Sequence, residues 1–272
     1  MKLREAESLL REAGIEDARP DARLIFEELG GLSPIELISL DAETDSAAVR
    51  AAIERRAKRE PLAYILGRTY FYREEYKVDE SCLIPRSDTE ILVDFAVKSL
   101  TRGATFLDLC TGSGCIALSV LHNTEGTRAI AADISPGAVN IARENAERLG
   151  LSDRLEVRCL DVLKDEIDGK FDAVLSNPPY VTSSEYRELE REIYYEPEAA
   201  FVGGEDGGDF YRLLTPMYKP HLKDGGFIAY EIGAAQADLL RRIAVENGMS
   251  CEILRDLGGR DRVAVLRKLK TD

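Results

Sequence analysis

The 272 residues are 44% hydrophobic and 32% charged, and 36 Lys and Arg against 50 Asp and Glu leave a formal net charge of -14. This composition excludes a low-complexity chain, and the acidic balance disfavours a phosphate backbone as partner while leaving a basic protein open. No run reaches the ~18 apolar residues of a membrane span, and the start "MKLREAESLLREAG" lacks the apolar region of a signal peptide. The expected compartment is therefore the cytoplasm, with no membrane partner.

Five cysteines, Cys82, Cys110, Cys115, Cys159 and Cys251, form no Cys-x-x-Cys pair and read as buried free thiols. The two histidines, His122 and His221, stand far apart without ligand-type neighbours, so neither a metal centre nor a histidine-based triad is expected.

In chain order, apolar residues recur at helical spacing from Leu3 to about Arg59, through "AESLLREAG", "DARLIFEELGG" and "AAVRAAIERRAKRE", with breaks at Gly14, Gly30, Gly31 and Pro34. This predicts a small helical bundle over residues 1–68. The alternation in "TYFYREEYKVDES" predicts a linking hairpin within 69–86 that turns around Arg73 to Glu75. The helix "SDTEILVDFAVKSL" follows, with Ser87 and Glu90 at capping-box spacing, and opens a larger domain over 87–272.

In that domain strand and helix patterns alternate. "ATFLDLC", "TRAIAADIS", "LEVRCLDV", "FDAVLSN", "GGFIAYEIG", "CEILRDLG" and "RVAVLRKL" read as strands. "PGAVNIARENAERLG" and "QADLLRRIAVENG" read as helices, the first with Pro136 at its start and Gly150 at its end. The expected class is α/β, with a mostly parallel, Rossmann-like sheet covered on both faces.

Three strand candidates end in an acidic residue: Asp108, Asp133 and Asp161. After Asp108 comes the turn Cys110-Thr111-Gly112-Ser113-Gly114 and then an apolar helix, so a ligand can approach the backbone beside the positive end of that helix. Asp133 follows Asp108 by 25 residues, about the interval at which doubly wound folds set a carboxylate against ribose hydroxyls. For the turn alone a tight connection remains the alternative, and for each Asp alone a solvated strand end or cap. Gly112-Ser113-Gly114-Cys115-Ile116-Ala117 lacks the third glycine of G-x-G-x-x-G, which favours adenosine with a zwitterionic amino-acid tail over NAD or FAD.

The strand "FDAVLSN" runs into Asn177-Pro178-Pro179-Tyr180. Two prolines donate no backbone hydrogen bonds and push their predecessors out of helical space, so strand pairing must stop there. An ordinary strand-ending turn is one reading; a preformed clamp of hydrogen-bond acceptors is the other.

Together "LIPRSDTE", "DLCTGSGCIA", "AADIS", "SNPPY", "EPEAAFVGGEDGGDFYRLL", "GGFIAYEIGAAQ" and "DLGGRDRVAV" resemble the release factor glutamine N5-methyltransferases (PrmC/HemK), a family of class I S-adenosylmethionine-dependent methyltransferases. The resemblance covers nearly the whole chain. It implies that S-adenosylmethionine is the cofactor, S-adenosylhomocysteine the product, and the glutamine of the Gly-Gly-Gln motif of peptide chain release factors the substrate. A monomer that makes no direct nucleic-acid contact is implied, with part of the N-terminal helical surface meeting the release factor.

By position, Cys110, Thr111, Gly112, Ser113 and Gly114 would hold the methionine part of the cofactor and Asp133 the ribose hydroxyls. Asp161 and Val162 would border the adenine, and Asn177 would lie between cofactor and substrate. Cys110 stands where the family often has glycine, Ser87 where proline is frequent, and Val162 where Trp or Phe can occur. The Asn177 side-chain oxygen and the Pro178 carbonyl are expected to accept hydrogen bonds from the substrate NH2, with Pro179 stiffening the loop and Tyr180 covering the glutamine.

Arg86, Glu196 and the run Gly203 to Gly208 are read as either substrate contacts or scaffolding, and Glu231 and Gln236 as structural. Three competing functions share many of these features: methylation of a ribosomal-protein glutamine, adenine N6-methylation after base flipping, and cofactor binding without catalysis.

Overall fold

The computed structural model describes residues 1–39 and 41–269. The chain divides into two compact units, one of Met1–Arg68 with Glu190–Tyr195, the other of Thr69–Leu189 with Glu196 onward.

The first unit contains α1 (Leu3–Glu12), α2 (Ala18–Gly30), α3 (Ala47–Ala57) and α4 (Leu62–Leu66). Leu3, Ala6 and Leu10 place one face of α1 in a core shared with Ile25, Phe26, Val49 and Ile53, as the helical spacing requires. Ser46 caps α3 by accepting from the Val49 N–H at 3.3 Å. Residues 190–195 belong to this unit because Glu192 accepts from the guanidinium groups of Arg59 (2.9 Å) and Arg56 (3.4 Å), while the Tyr195 hydroxyl donates to the Lys58 carbonyl at 2.8 Å.

The second unit begins at Thr69, within β1 (Arg68–Phe71), which forms a two-stranded sheet with β2 (Glu74–Lys77); their turn falls at Tyr72 and Arg73, slightly ahead of the expected position. Helix α5 (Glu90–Ser99) follows. The capping box expected of Ser87 and Glu90 is absent. Ser87–Thr89 form a 3-10 turn, and the Glu90 carboxylate accepts instead from the Tyr72 backbone N–H at 2.9 Å. A tertiary donor has taken the side chain that local spacing assigned to the cap.

Next come β3 (Thr105–Leu109), α6 (Cys115–His122), β4 (Arg128–Asp133), α7 (Pro136–Arg148), β5 (Leu155–Cys159), β6 (Phe171–Ser176) and the single turn α8 (Ser183–Tyr186). The chain ends with α9 (Asp209–Tyr218), β7 (Leu222–Glu231), α10 (Ala237–Glu246), β8 (Met249–Arg255) and β9 (Asp261–Lys268). The seven strands stand in the order β5-β4-β3-β6-β7-β9-β8; β3 to β7 run parallel, and β9 pairs antiparallel with both β7 and β8.

Both faces are covered, as the apolar strands predict. Phe106 packs with α5, α6 and α7 residues such as Val93, Leu118 and Val139, while its neighbour Leu107 packs with Tyr211, Leu214 and Leu240 of α9 and α10. Helix α9 was not legible as a helix, because it follows a glycine run and carries Pro216 inside it. No helix among the described residues is long and apolar enough to cross a membrane.

Candidate active site

The strand order reverses between β3 and β6, and ligands of open α/β sheets bind beyond the carboxyl ends of the strands at such a point. Leu109 pairs with Ser176 as the last rung of that ladder. The Ser176 hydroxyl donates to the Leu109 carbonyl at 2.6 Å, closing the ladder's end. One residue further along each strand, Cys110 and Asn177 leave the sheet and both line the same cavity of about 320 Å³. That volume lies at the lower end of the ~300–1,000 Å³ common for small-molecule sites.

Two carboxylates shape the turn after β3. Fully buried Asp108 accepts through one oxygen from the Thr111 hydroxyl (2.6 Å) and from the Ala117 N–H in the first turn of α6 (3.1 Å). Its other oxygen is buried without a partner. Burial pushes this carboxyl up to about 7, against the pull of those two donors. Asp133, at the end of β4, accepts from the Gly112 N–H at 2.8 Å and the Ser135 N–H at 2.9 Å; burial raises its pKa while backbone donors lower it.

Cys110 takes φ +60°, a left-handed conformation that costs a side chain with a Cβ about 1–2 kcal/mol. Gly112, at φ +55°, has open space where a Cβ would stand, so its backbone faces the cavity bare.

Of the residues singled out from the sequence, Cys110, Gly112, Asp133, Asp161, Val162, Asn177 and Pro179 line this cavity. Thr111 and Ser113 are buried beneath the turn, and Gly114, at φ +81°, is pressed against Leu118 and Ala142 where α6 begins. Pro178 and Tyr180 do not line the cavity. Asp161 is engaged by Lys164 at 2.7 Å, and that ammonium lowers its pKa.

Sequence reasoning missed Ser81, Cys82 and Leu83, which enter from the segment before α5, and Phe210, which α9 supplies as an aromatic wall. A buried Cys or a lone Phe carries no signal distinguishing a cavity wall from core.

The chemistry of the lining tests which cofactor fits. Among the described residues no Lys, Arg or His lines the cavity, whereas Asp133 and Asp161 do, together with apolar Ile134, Ala138 and Leu163. A pyrophosphate would meet no cation there. An adenosine bearing hydroxyls and a positively charged sulfonium tail matches acceptors and apolar walls.

Asn177 through Tyr180 is held from behind. The Asn177 side-chain nitrogen donates to the Thr89 hydroxyl at 3.3 Å, and the Tyr180 hydroxyl donates to the Glu231 carboxylate at 3.1 Å. The glycine loop lies against this segment: Val181 N–H donates to Phe201 O at 2.8 Å and Gly203 N–H to Val181 O at 2.9 Å. A Cβ on Gly203 would stand 2.3 Å from Pro179 O, and one on Gly207 only 2.1 Å from Tyr180 O. Gln236 completes the support by donating to Tyr180 O at 3.0 Å. Gly203, Gly207 and Gln236 thus hold the loop's backbone in place. Buried Glu196 accepts from Ile84 N–H at 2.9 Å and pairs with Arg86, so that arginine is in an ion pair.

Residues 2–67 match the PrmC N-terminal domain and residues 87–200 the methyltransferase small domain. A release factor glutamine methyltransferase of Geobacter sulfurreducens is 38% identical over 261 residues, 93% of this chain and 91% of that protein. The chain belongs to the release factor glutamine methyltransferase family. Another member, from Cereibacter sphaeroides, is 38% identical over 97% of this chain and 96% of its own length.

Among solved structures, a methyltransferase from Pyrococcus furiosus superposes with a TM-score of 0.54 at 18% identity, covering 71% of this chain and 89% of that one. At that identity the likeness speaks for the fold. Membership in this family makes the chain an S-adenosylmethionine-dependent methyltransferase, in agreement with the acidic and apolar cavity lining.

Proposed function

We propose that this chain methylates the side-chain amide nitrogen (N5) of the glutamine in the Gly-Gly-Gln motif of bacterial peptide chain release factors. The observation that carries the reading is the placement of Asn177 and Cys110 side by side at the β3–β6 switch point, in a chain 38% identical to family members over most of its length. S-adenosylmethionine supplies an electrophilic methyl group on a sulfonium that keeps the electron pair when the carbon leaves. The turn Cys110 to Gly114, with Asp133, Asp161 and Val162, is the set of residues that would hold it.

Amide nitrogen is a poor nucleophile because its lone pair is delocalised into the carbonyl, so orientation is the main task. With its nitrogen donating to Thr89, Asn177 has its side-chain oxygen left as acceptor for the substrate NH2. The Pro178 carbonyl is the second acceptor. Both hydrogen bonds strengthen as the nitrogen gains positive charge during transfer, which stabilises the transition state more than the bound substrate. Held this way, the glutamine nitrogen would be aimed at the methyl group that bound S-adenosylmethionine would supply, and the proton of the methylated nitrogen would pass to solvent.

Pro178 and Pro179 restrict the loop before substrate arrives. In this reading the helical unit over residues 1–68 recognises the protein substrate, and the chain acts as a cytoplasmic monomer without contacting nucleic acid. Labelled S-adenosylmethionine offered with purified release factor, ribosomal proteins or DNA tests the assignment. Label should enter the release factor; label confined to ribosomal protein or DNA overturns the substrate choice.

A further inference from the structure

Behind the clamp lies a buried carboxylate that the reaction as described does not use. Glu231 ends β7, is 2% exposed and accepts from the Tyr180 hydroxyl at 3.1 Å. The Thr89 hydroxyl, itself buried at the entry to α5, accepts from the Asn177 side-chain nitrogen, and it lies near enough to Glu231 to favour the charged form of that carboxyl. The second Glu231 oxygen is buried with no hydrogen-bond partner among the described residues. From the two ends of Asn-Pro-Pro-Tyr, Tyr180 thus reaches this carboxylate directly and Asn177 reaches the hydroxyl beside it.

The geometry points to Glu231 as a positioning residue that sets the direction of the hydrogen bonds in the clamp. This rests on the methyl-transfer reading above. An ionised carboxylate can only accept. It therefore draws the Thr89 proton toward itself, which turns the Thr89 lone pair to the Asn177 NH2 and leaves the Asn177 oxygen free for the substrate. It likewise fixes the Tyr180 hydroxyl as donor. A protonated carboxyl, or an amide in its place, offers one acceptor too few, and the Thr89 proton can then turn to the Asn177 oxygen. In that arrangement Asn177 presents a donor to a substrate NH2 that is also a donor, and the clamp fails.

The groups facing Glu231 are the hydroxyls of Thr89 and Tyr180 and the guanidinium of Arg262 on β9, with Asp88 beside that guanidinium at 3.1 Å. Tyr211 of α9 donates to the Glu231 backbone carbonyl at 2.9 Å, and Cys115 at the start of α6 also senses the charge. Burial pushes Glu231 up to about 7; Thr89, Tyr180 and Arg262 oppose this and Asp88 adds to it. The polarity of the clamp should accordingly switch within the working pH range.

The test uses the full chain, isotopically labelled, with Glu231→Gln and Thr89→Val as variants. In the wild type the Asn177 side-chain amide signals should titrate with a midpoint near 7, and that titration should vanish in both variants while their folded spectra persist. With release factor as substrate, both variants should lose about tenfold or more in kcat with little change in KM, as for an interaction made only in the transition state. The acidic limb of the wild-type kcat profile should disappear in Glu231→Gln. Because that substitution removes a buried charge, its thermal midpoint at pH 8 should not fall, whereas loss of a merely structural residue would lower it. An Asn177 titration that persists in Glu231→Gln, or a wild-type kcat profile in that variant, overturns the inference. A wild type that methylates no release factor counts against the proposed function, and the Asn177 signals still decide the role of Glu231.

Discussion

The turn after β3 and the loop after β6 sit on adjacent strands, yet they are built in opposite ways. Cys110 to Gly114 is held from within the single stretch from β3 to α7: Asp108 pins Thr111 and Ala117, Asp133 at the end of the next strand pins Gly112, and Asn145 of α7 donates to Ser113 O. Asn177 to Tyr180 is held by Thr89, Glu231, Gln236 and the glycine loop, which reach it from the turn before α5, β7, the entry to α10 and the connection before α9. The proposed cofactor turn, shaped within one β-α-β-α stretch, can take the same form in many proteins of this fold. The proposed substrate clamp, shaped by long-range contacts, depends on the whole second unit folding around it.

Substitutions separate the two regions. The largest effect is expected at the clamp: Asn177→Ala should lower the methyl-transfer rate by about 10² to 10³, as loss of one preorganised polar contact does, with a much smaller change in cofactor affinity by calorimetry. At the turn the balance should reverse. Asp133→Ala removes a charged acceptor from the cavity wall and should weaken S-adenosylmethionine binding by about 10- to 100-fold, the equivalent of about one hydrogen bond to a charged group. Equal losses of rate and affinity in both variants would erase the distinction.

The long-range support is tested at Gly207. A methyl there would stand 2.1 Å from Tyr180 O on a backbone at φ +70°, so Gly207→Ala should destabilise the fold by about 1–3 kcal/mol in denaturant titration, the usual cost of overpacking. Activity should fall with it while cofactor binding is largely kept.

Both regions also carry a buried carboxyl held at about 7, Asp108 at the turn and Glu231 behind the clamp. Each binds its proton more tightly in the folded chain than in the unfolded one. Their contribution to stability is fully present below about pH 4 and is lost as pH rises through the folded value of about 7. Thermal midpoints should therefore decline between pH 5 and pH 8; Glu231→Gln should flatten part of that decline, and an unchanged slope would show that its proton is not linked to folding. The smallest effect is expected at Cys110→Gly, where relief of the left-handed strain, about 1–2 kcal/mol, outweighs the entropy of a glycine, about 0.5–1 kcal/mol. The variant should melt slightly higher, and a lower midpoint would mean that side-chain packing of Cys110 matters more than its backbone.

The same contrast explains what could be read from the sequence. The apolar strands, Asp133 at the end of β4, Pro136 and Gly150 bounding α7, and the halt of β6 before two prolines all follow from nearest-neighbour chemistry, and the sheet appears accordingly; of the other two expected strand ends, Asp108 falls one residue before the end of β3 and Asp161 two beyond the end of β5. The capping box at Ser87 and Glu90 is absent because a backbone N–H distant in sequence claimed Glu90. Glu231 read as structural because a single acidic residue at a strand end carries no mark of what faces it. Thr89 drew no attention at all, since only the folded sheet brings it to Asn177. Cys82, Leu83 and Phe210 were invisible for the related reason that a cavity wall has the composition of a core.

The central claim is that Asn177 to Tyr180 presents a glutamine amide to the methyl donor. Its most direct test is mass spectrometry of the Gly-Gly-Gln peptide from a purified bacterial release factor after incubation with wild-type chain or Asn177→Ala and isotopically labelled S-adenosylmethionine. The account predicts a single labelled methyl on the glutamine side chain with the wild type, and almost none with the variant at equal cofactor occupancy. A methyl on another residue, or equal labelling by the variant, would contradict it.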